Sequence, residues 1–177
     1  MDTKLKGDVA EQTAILQALK RGWGVLRPVG DRLAYDLIFD VGGPLLRIQV
    51  KSAWFNPKTH NYVVDTRRTK TNRRVMKRAF YAVSDFDFAS VYLPALDISS
   101  IFPVTAFSNY GSDIQLVEVA KRQRKPTSSQ FREAWGMISQ WAVVGETRQR
   151  YLSNSGKPRA VVIPSQGSAN TEQGVET

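Results

Sequence analysis

The sequence predicts a single domain of the α/β or α+β class, built on a mixed β-sheet. One helical pattern comes first, at residues 7–21, and another comes late, at residues 127–143. Between them lie short runs in which apolar and polar residues alternate, as in half-buried strands. Helices that flank strands bury their apolar faces against a sheet, so this order favours a layered fold. The 177 residues are enough for one domain with its own core.

The first helix is expected to end at two nearby glycines, Gly22 and Gly24. At about 100° per residue, its apolar arc contains Ala14, Ile15, Ala18 and Leu19. Glu11 falls inside this arc. A carboxylate on an apolar arc is costly to bury unless it binds a cation. Glu11 is therefore either one half of a structural salt bridge, to Lys51 or Arg47, or a metal ligand.

Three strand-like runs follow the first helix, at residues 25–28, 35–41 and 45–54. The turn sequence Gly42-Gly43-Pro44 predicts that the second and third runs form a hairpin. In the third run, alternation puts Leu46, Ile48, Val50 and Trp54 on one face and Arg47, Gln49 and Lys51 on the other. Asp36 lies on the second run and is expected beside this polar face.

Later segments complete the expected domain, which spans residues 1–164. Further strands are expected at residues 61–65, 86–93 and 98–104, and a basic run between the first two is expected to be a loop or a helix. Thr127 or Ser128 would cap the last helix, whose apolar face carries Phe131, Trp135, Ile138 and Trp141. Residues 165–177 have almost no apolar content and are expected to be a disordered tail.

The charge balance favours a polyanionic partner. Lys and Arg number 25 against 16 Asp and Glu, which gives a net charge of +9 and an isoelectric point near 10. A merely soluble basic protein is the alternative. The distribution favours phosphate contacts, because residues 66–84 hold seven basic side chains and no acidic one, and residues 121–125 form a second cluster. The residues expected to contact DNA are Arg67, Arg68, Lys70, Asn72, Arg73, Arg74, Lys77, Arg78, Lys121, Arg122, Arg124 and Lys125.

Other classes of protein are excluded or disfavoured by what the sequence lacks. With no cysteine there is no disulfide, no thiolate chemistry and no Cys-based zinc site. The first residues have no apolar segment typical of a secretory signal, and no stretch approaches the length of a membrane span. An intracellular, cytoplasmic location is the default expectation.

The polar face of the predicted hairpin suits phosphodiester hydrolysis. Gln49 and Lys51 are two residues apart on one strand, so their side chains project to one face about 7 Å apart. Asp36 can supply an anionic oxygen to a divalent cation such as Mg²⁺ or Mn²⁺, and Gln49 can supply a neutral one. The backbone carbonyl of Val50 is a further candidate ligand. Lys51 can orient the attacking water or neutralise developing charge.

The arrangement of Glu11, Tyr35-Asp36 and Gln49-Val50-Lys51 resembles the PD-(D/E)XK nuclease superfamily. The resemblance implies an α/β restriction-endonuclease-like core of helix, mixed sheet and helix, here with additional strands and a C-terminal helix. Two positions depart from the usual motif. Tyr35 replaces a proline that does no chemistry, and Gln49 replaces the second acid and removes one negative charge from the metal site.

A narrower resemblance extends over roughly residues 4–142. The segments QVKSAWF at 49–55, DFDFASVYLP at 85–94 and IFPV at 101–104 are similar to group I intron-encoded homing endonucleases of the PD-(D/E)XK type. This resemblance implies an Mg²⁺-dependent, site-specific double-stranded DNA endonuclease that assembles as a homotetramer, with a dimer as the alternative. Glu11 would then be a second acid that offsets the charge missing at Gln49.

Two alternative functions stay open at this point. A Holliday-junction resolvase or repair nuclease would use the same fold to recognise DNA shape. A DNA-binding derivative without catalysis would be consistent with the neutral Gln49. Two other polar residues, Asp40 at the turn and the single histidine, His60, are interpreted as solvated turn and loop residues.

Overall fold

The computed structural model describes residues 2–30, 32–71, 76–118 and 126–153. Its helices are α1 (Thr3–Leu19), α2 (Val104–Ser108) and α3 (Gly136–Ser153), with a 3₁₀ helix at Thr127–Phe131. Its strands are β1 (Gly24–Leu26), β2 (Leu37–Asp40), β3 (Leu45–Ser52), β4 (Trp54–Asn56), β5 (Asn61–Asp65), β6 (Arg68–Thr71), β7 (Met76–Ala79), β8 (Phe88–Leu93), β9 (Ile98–Pro103) and β10 (Asp113–Leu116).

The central sheet has five strands in the order β1-β2-β3-β8-β9. Strands β3 and β8 are parallel, and the other neighbouring pairs are antiparallel. The expected α/β fold with a mixed sheet and flanking helices is therefore confirmed. A second sheet, β10-β5-β4, and the hairpin β6-β7 are built from the chain that connects β3 to β8, together with β10.

Two apolar cores lie on opposite faces of the central sheet. One joins α1 and the start of α3 to the sheet and contains Ala14, Ile48 and Trp135. The other joins the sheet to the second sheet and α2 and includes Val64 and Phe107. Side chains on β3 alternate between the two faces, so Gln49 and Lys51 lie on the face away from α1. The sheet is covered on both sides, and polar side chains on it are therefore largely removed from water.

Helix α1 packs on the sheet through a stripe of small residues. Ala10, Ala14 and Ala18 are buried at a spacing of four residues. Leu19 was expected on the buried arc but is 57% exposed, so that expectation is wrong. The helix contacts the sheet through the narrow alanine stripe, which brings the two backbones close and leaves longer side chains at its margins in solvent.

The expected third strand ends two residues early and continues in a different sheet. Strand β3 stops at Ser52, Ala53 donates a backbone hydrogen bond to the Tyr92 carbonyl (2.8 Å), and Trp54 begins β4. Trp54 is 47% exposed and does not join the buried face that alternation predicted. A period of two residues holds only while the chain stays in one sheet.

The basic run forms a β-hairpin, which corrects the expectation of a loop or a helix. Strands β6 and β7 pair antiparallel from Arg68 opposite Ala79 to Thr71 opposite Met76. Residues 72–75, between the two strands, lie outside the described residues, and so do residues 121–125 and the expected tail.

The late helix is interrupted, which corrects the expectation of one helix over residues 127–143. The 3₁₀ helix ends at Phe131, and Glu133 has a left-handed backbone with φ of 50°. Its N–H donates to the Ser99 carbonyl (2.7 Å), and its carboxylate accepts from the Ser99 N–H. These bonds to the edge strand β9 satisfy backbone groups that a continuous helix would leave unpaired. In the part of the chain that the structure describes, no helix is long and apolar enough to cross a membrane.

Candidate active site

Asp36 lies immediately before β2 and is joined to β3 by backbone pairing. Its N–H donates to the Ile48 carbonyl (2.9 Å), and the next residue, Leu37, is the partner of Ile48 in the ladder. The hairpin therefore extends one residue beyond the formal strand. This register sets the Asp36 side chain beside Gln49, as the alternation pattern predicted.

The Asp36 carboxylate accepts two short hydrogen bonds from β3 on one oxygen. Gln49 Nε2 lies 2.6 Å and the Val50 backbone nitrogen 2.7 Å from Asp36 Oδ2. Gln49 Nε2 also donates to the Val50 carbonyl at 3.0 Å, and Gln49 is only 7% exposed. The amide thus bridges Asp36 Oδ2 and the Val50 carbonyl oxygen, two of the oxygens expected to bind a metal.

Burial raises the pKa of Asp36 above its ordinary value. The Val50 N–H and the positive charges of Lys51 and Arg68 act in the opposite direction but do not cancel the effect of burial. A carboxyl whose charge is disfavoured in this way is stabilised by any cation that approaches it. The site is therefore electrostatically prepared for a cation.

Lys51 has its ammonium held at a defined position. Nζ donates to the Arg67 carbonyl at 2.9 Å and lies 5.1 Å from the centre of the Tyr81 ring. Burial lowers the pKa of Lys51, against the attraction of Asp36 and Asp65, and Arg68 lowers it further. Asp36, Gln49 and Lys51 lie on one face of adjacent segments, as expected.

Glu11 forms an ion pair, but not with either of the two basic residues that the sequence suggested. Its carboxylate pairs with Arg27 at 3.3 Å rather than with Lys51 or Arg47. Burial raises the pKa of Glu11, as does the negative charge of Asp36, while Arg27 lowers it. Glu11 lies on α1, which packs on the face of the sheet opposite to Gln49 and Lys51.

Other polar residues of the hairpin have structural partners. Arg47, the third residue of the polar face, binds Asp87 through its backbone N–H (2.7 Å) and its guanidinium (3.1 and 3.2 Å). Asp40 accepts a hydrogen bond from the Gly42 N–H (3.1 Å), in agreement with its interpretation as a turn residue. These contacts hold the hairpin in place and take no part in the arrangement around Asp36.

Three of the residues expected to contact DNA make contacts at the base of the basic hairpin. Arg67 and Arg78 both pair with Asp65, at 2.9 and 3.5 Å. Arg68 donates to the carbonyls of residues 32 and 33 at 2.8 and 2.6 Å. The side chains of Lys70 and Lys77, and the whole of Asn72, Arg73, Arg74, Lys121, Arg122, Arg124 and Lys125, lie outside the described residues.

The comparisons with known proteins decide the family. The family model described as PD-(D/E)XK endonuclease matches residues 1–138 of the chain. The chain belongs to this family. A solved structure, that of the bacterial homing endonuclease I-Ssp6803I, is 58% identical, with a TM-score of 0.76, and the match covers 81% of this chain and 97% of that one. Among curated proteins, none matches the chain.

As a PD-(D/E)XK endonuclease, the protein is a nuclease and therefore a hydrolase. The resemblance found in the sequence is confirmed, both for the superfamily and for its homing endonucleases. The same two findings support the expected function of a site-specific DNA endonuclease. Nucleases of this family generally use divalent metal ions.

The donor set of this endonuclease fits a hard divalent cation. Asp36, Gln49 and the Val50 carbonyl each carry an oxygen, the ligand atom that Mg²⁺ and Mn²⁺ prefer, and in this structure the Gln49 nitrogen faces the other two. No group of three or more His, Cys, Asp or Glu that could hold a metal occurs among the described residues.

Sequence reasoning missed three residues that contact the candidate residues. Tyr81 is 30 positions from Lys51 in a segment interpreted by its charge alone, and no pattern in the sequence joins the two. Arg27 follows the first short strand, and as the next cation after the helix it could have been considered as the partner of Glu11. Asp65 directly precedes the basic run, and including it would have shown that two of the arginines had a neighbouring acid.

Proposed function

We propose that this PD-(D/E)XK endonuclease is an Mg²⁺-dependent homing endonuclease that cuts double-stranded DNA at a specific site, with Mn²⁺ able to replace Mg²⁺. The observation that carries the proposal is the close grouping of Asp36, Gln49 and Lys51 on one face of the β2-β3 hairpin. The 58% identity to a bacterial homing endonuclease supports the same reading.

The proposed metal ligands are Asp36, Gln49, the Val50 carbonyl and Glu11. The Gln49 amide nitrogen donates hydrogen bonds to both Asp36 Oδ2 and the Val50 carbonyl. A cation bound there would replace the amide hydrogens as the positive partner of both oxygens. Gln49 would then present its amide oxygen, because a half-turn of its terminal side-chain torsion exchanges the positions of nitrogen and oxygen. Glu11 would add the second negative charge that Gln49 does not provide.

Catalysis is proposed to combine this site with Lys51. When bound, the cation supplies Lewis-acid activation at the scissile phosphate. Lys51 orients the attacking water or neutralises charge that develops on the phosphate, and its ammonium is already largely desolvated in the protein. A charge in a site of low dielectric constant acts more strongly on a developing anion than one in water.

The basic hairpin β6-β7 is proposed as the main DNA-binding element, with the cluster at residues 121–125 as a second contact. A two-stranded ribbon has dimensions that suit the DNA major groove. Arg67, Arg68 and Arg78 anchor its base through Asp65 and the 32–33 carbonyls, so base recognition falls to its outer residues, with Asn72, Arg73 and Arg74 as candidates. Its basic side chains would bind phosphates.

A homotetramer is the proposed assembly, with a dimer as the alternative, and the protein is proposed to act in the cytoplasm on DNA that lacks its group I intron. Cutting two strands requires at least two active sites, which favours a symmetric assembly with an even number of subunits. Sedimentation of the full chain with and without site-bearing DNA would measure the subunit number.

The deciding experiment compares cleavage by the unmodified protein, Asp36→Ala and Lys51→Ala, with Mg²⁺ and with a chelator. Both variants should lose cleavage while retaining salt-sensitive DNA binding. Asp40→Ala is the matched control, because Asp40 ends the β2 strand that Asp36 precedes and faces solvent at the turn.

Three outcomes would contradict the proposal in distinguishable ways. Retained cleavage by either variant would exclude the assigned site. Salt-sensitive binding without any divalent-dependent cutting would identify a DNA-binding derivative. Preferential cleavage of four-way junctions over linear sites would identify a junction resolvase.

A further inference from the structure

The Lys51 ammonium is held by residues at both ends of the basic hairpin. The first pair of the hairpin ladder is Arg68 with Ala79. Arg67, whose carbonyl accepts the Lys51 hydrogen bond at 2.9 Å, directly precedes this pair, and Tyr81 follows it by two residues. The Tyr81 ring centre lies 5.1 Å from Nζ, within the range of a cation–π contact. The catalytic candidate and the DNA-binding hairpin therefore meet at the hairpin base.

Both holding groups are themselves fixed. Arg67 binds Asp65 through its backbone N–H (2.8 Å) and through two guanidinium nitrogens (2.9 and 3.0 Å), and its carbonyl belongs to the peptide that leads into the first ladder pair, Arg68 with Ala79. Tyr81 is 8% exposed, and its ring packs edge-on against Phe86 with centroids 5.1 Å apart. Neither contact can follow Lys51 if the lysine moves, so they define where the ammonium lies.

We propose that Tyr81 is a positioning residue that holds the Lys51 ammonium at the base of the basic hairpin, so that the position of this ammonium depends on how the hairpin is seated. The proposal rests on the role of Lys51 in the proposed function. A lysine has four rotatable bonds, and a single carbonyl acceptor leaves it free to swing about that oxygen. The ring adds a second, directional contact that removes this freedom.

The test is a fluorination series at position 81 in the full-length protein. Fluorine withdraws electron density from the ring face with little change of volume, which weakens a cation–π contact while the packing is preserved. Tyr81→Phe should cleave within about twofold of the unmodified protein, because the ring remains. Replacing Phe by its mono-, di- and trifluorinated forms should lower the single-turnover cleavage rate stepwise. DNA affinity, measured in a chelator, should stay unchanged.

Tyr81→Leu removes the ring altogether and should lower the cleavage rate by about three- to thirtyfold, the range that one cation–π contact supports. Phe102→Leu is the matched control, because Phe102 is fully buried in the same apolar core without contacting Lys51 in the described structure. If Tyr81→Leu does not fold, the fluorination series still decides, because its members keep the ring volume.

A cleavage rate that does not change along the fluorination series, in a protein that Lys51→Ala inactivates, would overturn the positioning role alone. Cleavage by Lys51→Ala at the unmodified rate would overturn the proposed function of Lys51 instead. In a Lys51→Ala background with residual cleavage, the series should be flat, because the cation that senses the ring is gone. A loss of DNA affinity that parallels the loss of rate would also contradict the proposal.

Discussion

The side-chain amide of Gln49 donates a hydrogen bond of 2.6 Å to the Asp36 carboxylate, and the same nitrogen donates to the Val50 carbonyl. Two carboxylates that share a metal site repel each other when no metal is bound. An acid at position 49 would therefore repel Asp36. Gln49 does the reverse, because its amide hydrogens stabilise the neighbouring oxygens. The neutral side chain of Gln49 therefore stabilises the hairpin by hydrogen bonds that need no cation.

Gln49→Glu should make the stability of the protein depend on Mg²⁺. The change replaces a donor by a second buried anion beside Asp36, so the free energy of unfolding in a chelator should fall by about 1–3 kcal/mol. Added Mg²⁺ should recover this loss, since two carboxylates bind the cation more tightly than one carboxylate and one amide. Urea unfolding with and without Mg²⁺ measures both effects.

Gln115→Glu is the matched control for that prediction. Gln115 also donates an amide hydrogen bond to an aspartate, Asp113, at 2.8 Å, but on an exposed surface. Replacing Gln115 should lower the free energy of unfolding only slightly, and the size of this change should not depend on Mg²⁺. An equal Mg²⁺ response in the two variants would exclude a specific cation site at Gln49.

Divalent binding should release protons from Asp36 and Glu11. The pKa of each carboxyl is raised above its ordinary value, 3.8 and 4.5 respectively, so part of each is protonated at pH values just above those. A cation requires the deprotonated form, and its apparent affinity should therefore rise with pH through this window. For the same reason the metal-free protein should lose stability as the pH rises through the raised pKa values.

Calorimetric titration of Mg²⁺ in two buffers with different ionisation enthalpies counts the released protons. Glu11→Gln should release fewer protons than the unmodified protein and bind Mg²⁺ more weakly. The prediction fails if proton release is unchanged in both Glu11→Gln and Asp36→Asn.

Asp65→Asn should lower the stability of the protein above pH 4 but not at strongly acidic pH. Burial by itself raises the pKa of Asp65, but the hydrogen bonds and charges of Arg67 and Arg78 outweigh it and hold the pKa below its ordinary 3.8. A depressed pKa contributes stability that is present above the ordinary value and is lost as the pH falls through the folded-state value. The difference in unfolding free energy between the unmodified protein and Asp65→Asn should therefore become smaller as the pH falls.

Thermal unfolding from pH 2.5 to pH 7 checks this prediction. Asp113→Asn is the control, because Asp113 lies directly opposite Asp65 in the β5-β10 ladder and its replacement leaves the hydrogen bonds between Asp65 and Arg67 in place. A difference for Asp65→Asn that is independent of pH would show that the arginines do not stabilise the carboxylate.

Asp87→Asn should destabilise the fold without a specific effect on catalysis. Asp87 binds both the backbone and the guanidinium of Arg47, so losing its charge should cost about 1–3 kcal/mol. The pair is partly exposed, which favours the lower end of this range. At a temperature where the variant is fully folded, its single-turnover cleavage rate should remain within about threefold of the unmodified rate. A much larger loss would assign the Arg47–Asp87 pair to the active site.

The alternation pattern was reliable along a strand that stays in one sheet. The alternation along β3 correctly separated Gln49 and Lys51 from the apolar residues that alternate with them, because the chain stays in one sheet until Ser52. The same pattern failed at Trp54, where the chain enters the second sheet. The periodicity of residues 127–143 failed for a similar reason, since Glu133 binds the edge of β9 and interrupts the helix.

In the candidate site, too, some contacts could be predicted from local patterns and others could not. Asp36, Gln49 and Lys51 could be grouped from sequence, because a tight hairpin fixes which residues face each other across two adjacent strands. Tyr81 and the carbonyl of Arg67 could not, because their approach to Lys51 depends on where a hairpin distant in sequence packs. The partner of Glu11 was also missed, since helix packing against β1 brings Arg27 near it.

The sequence by itself determined the family through its resemblance to known nucleases. It determined the mixed α/β class and the three polar residues of the β2-β3 hairpin through the order of its elements and a period of two residues. The tertiary structure decided that the basic run is a hairpin, that Asp65 anchors its base, and that Tyr81 and Arg67 hold Lys51. The contacts of Lys51 with Arg67 and Tyr81 join residues that are well separated in the chain. They arise from the packing of separate elements around a shared core, and no local periodicity specifies such packing.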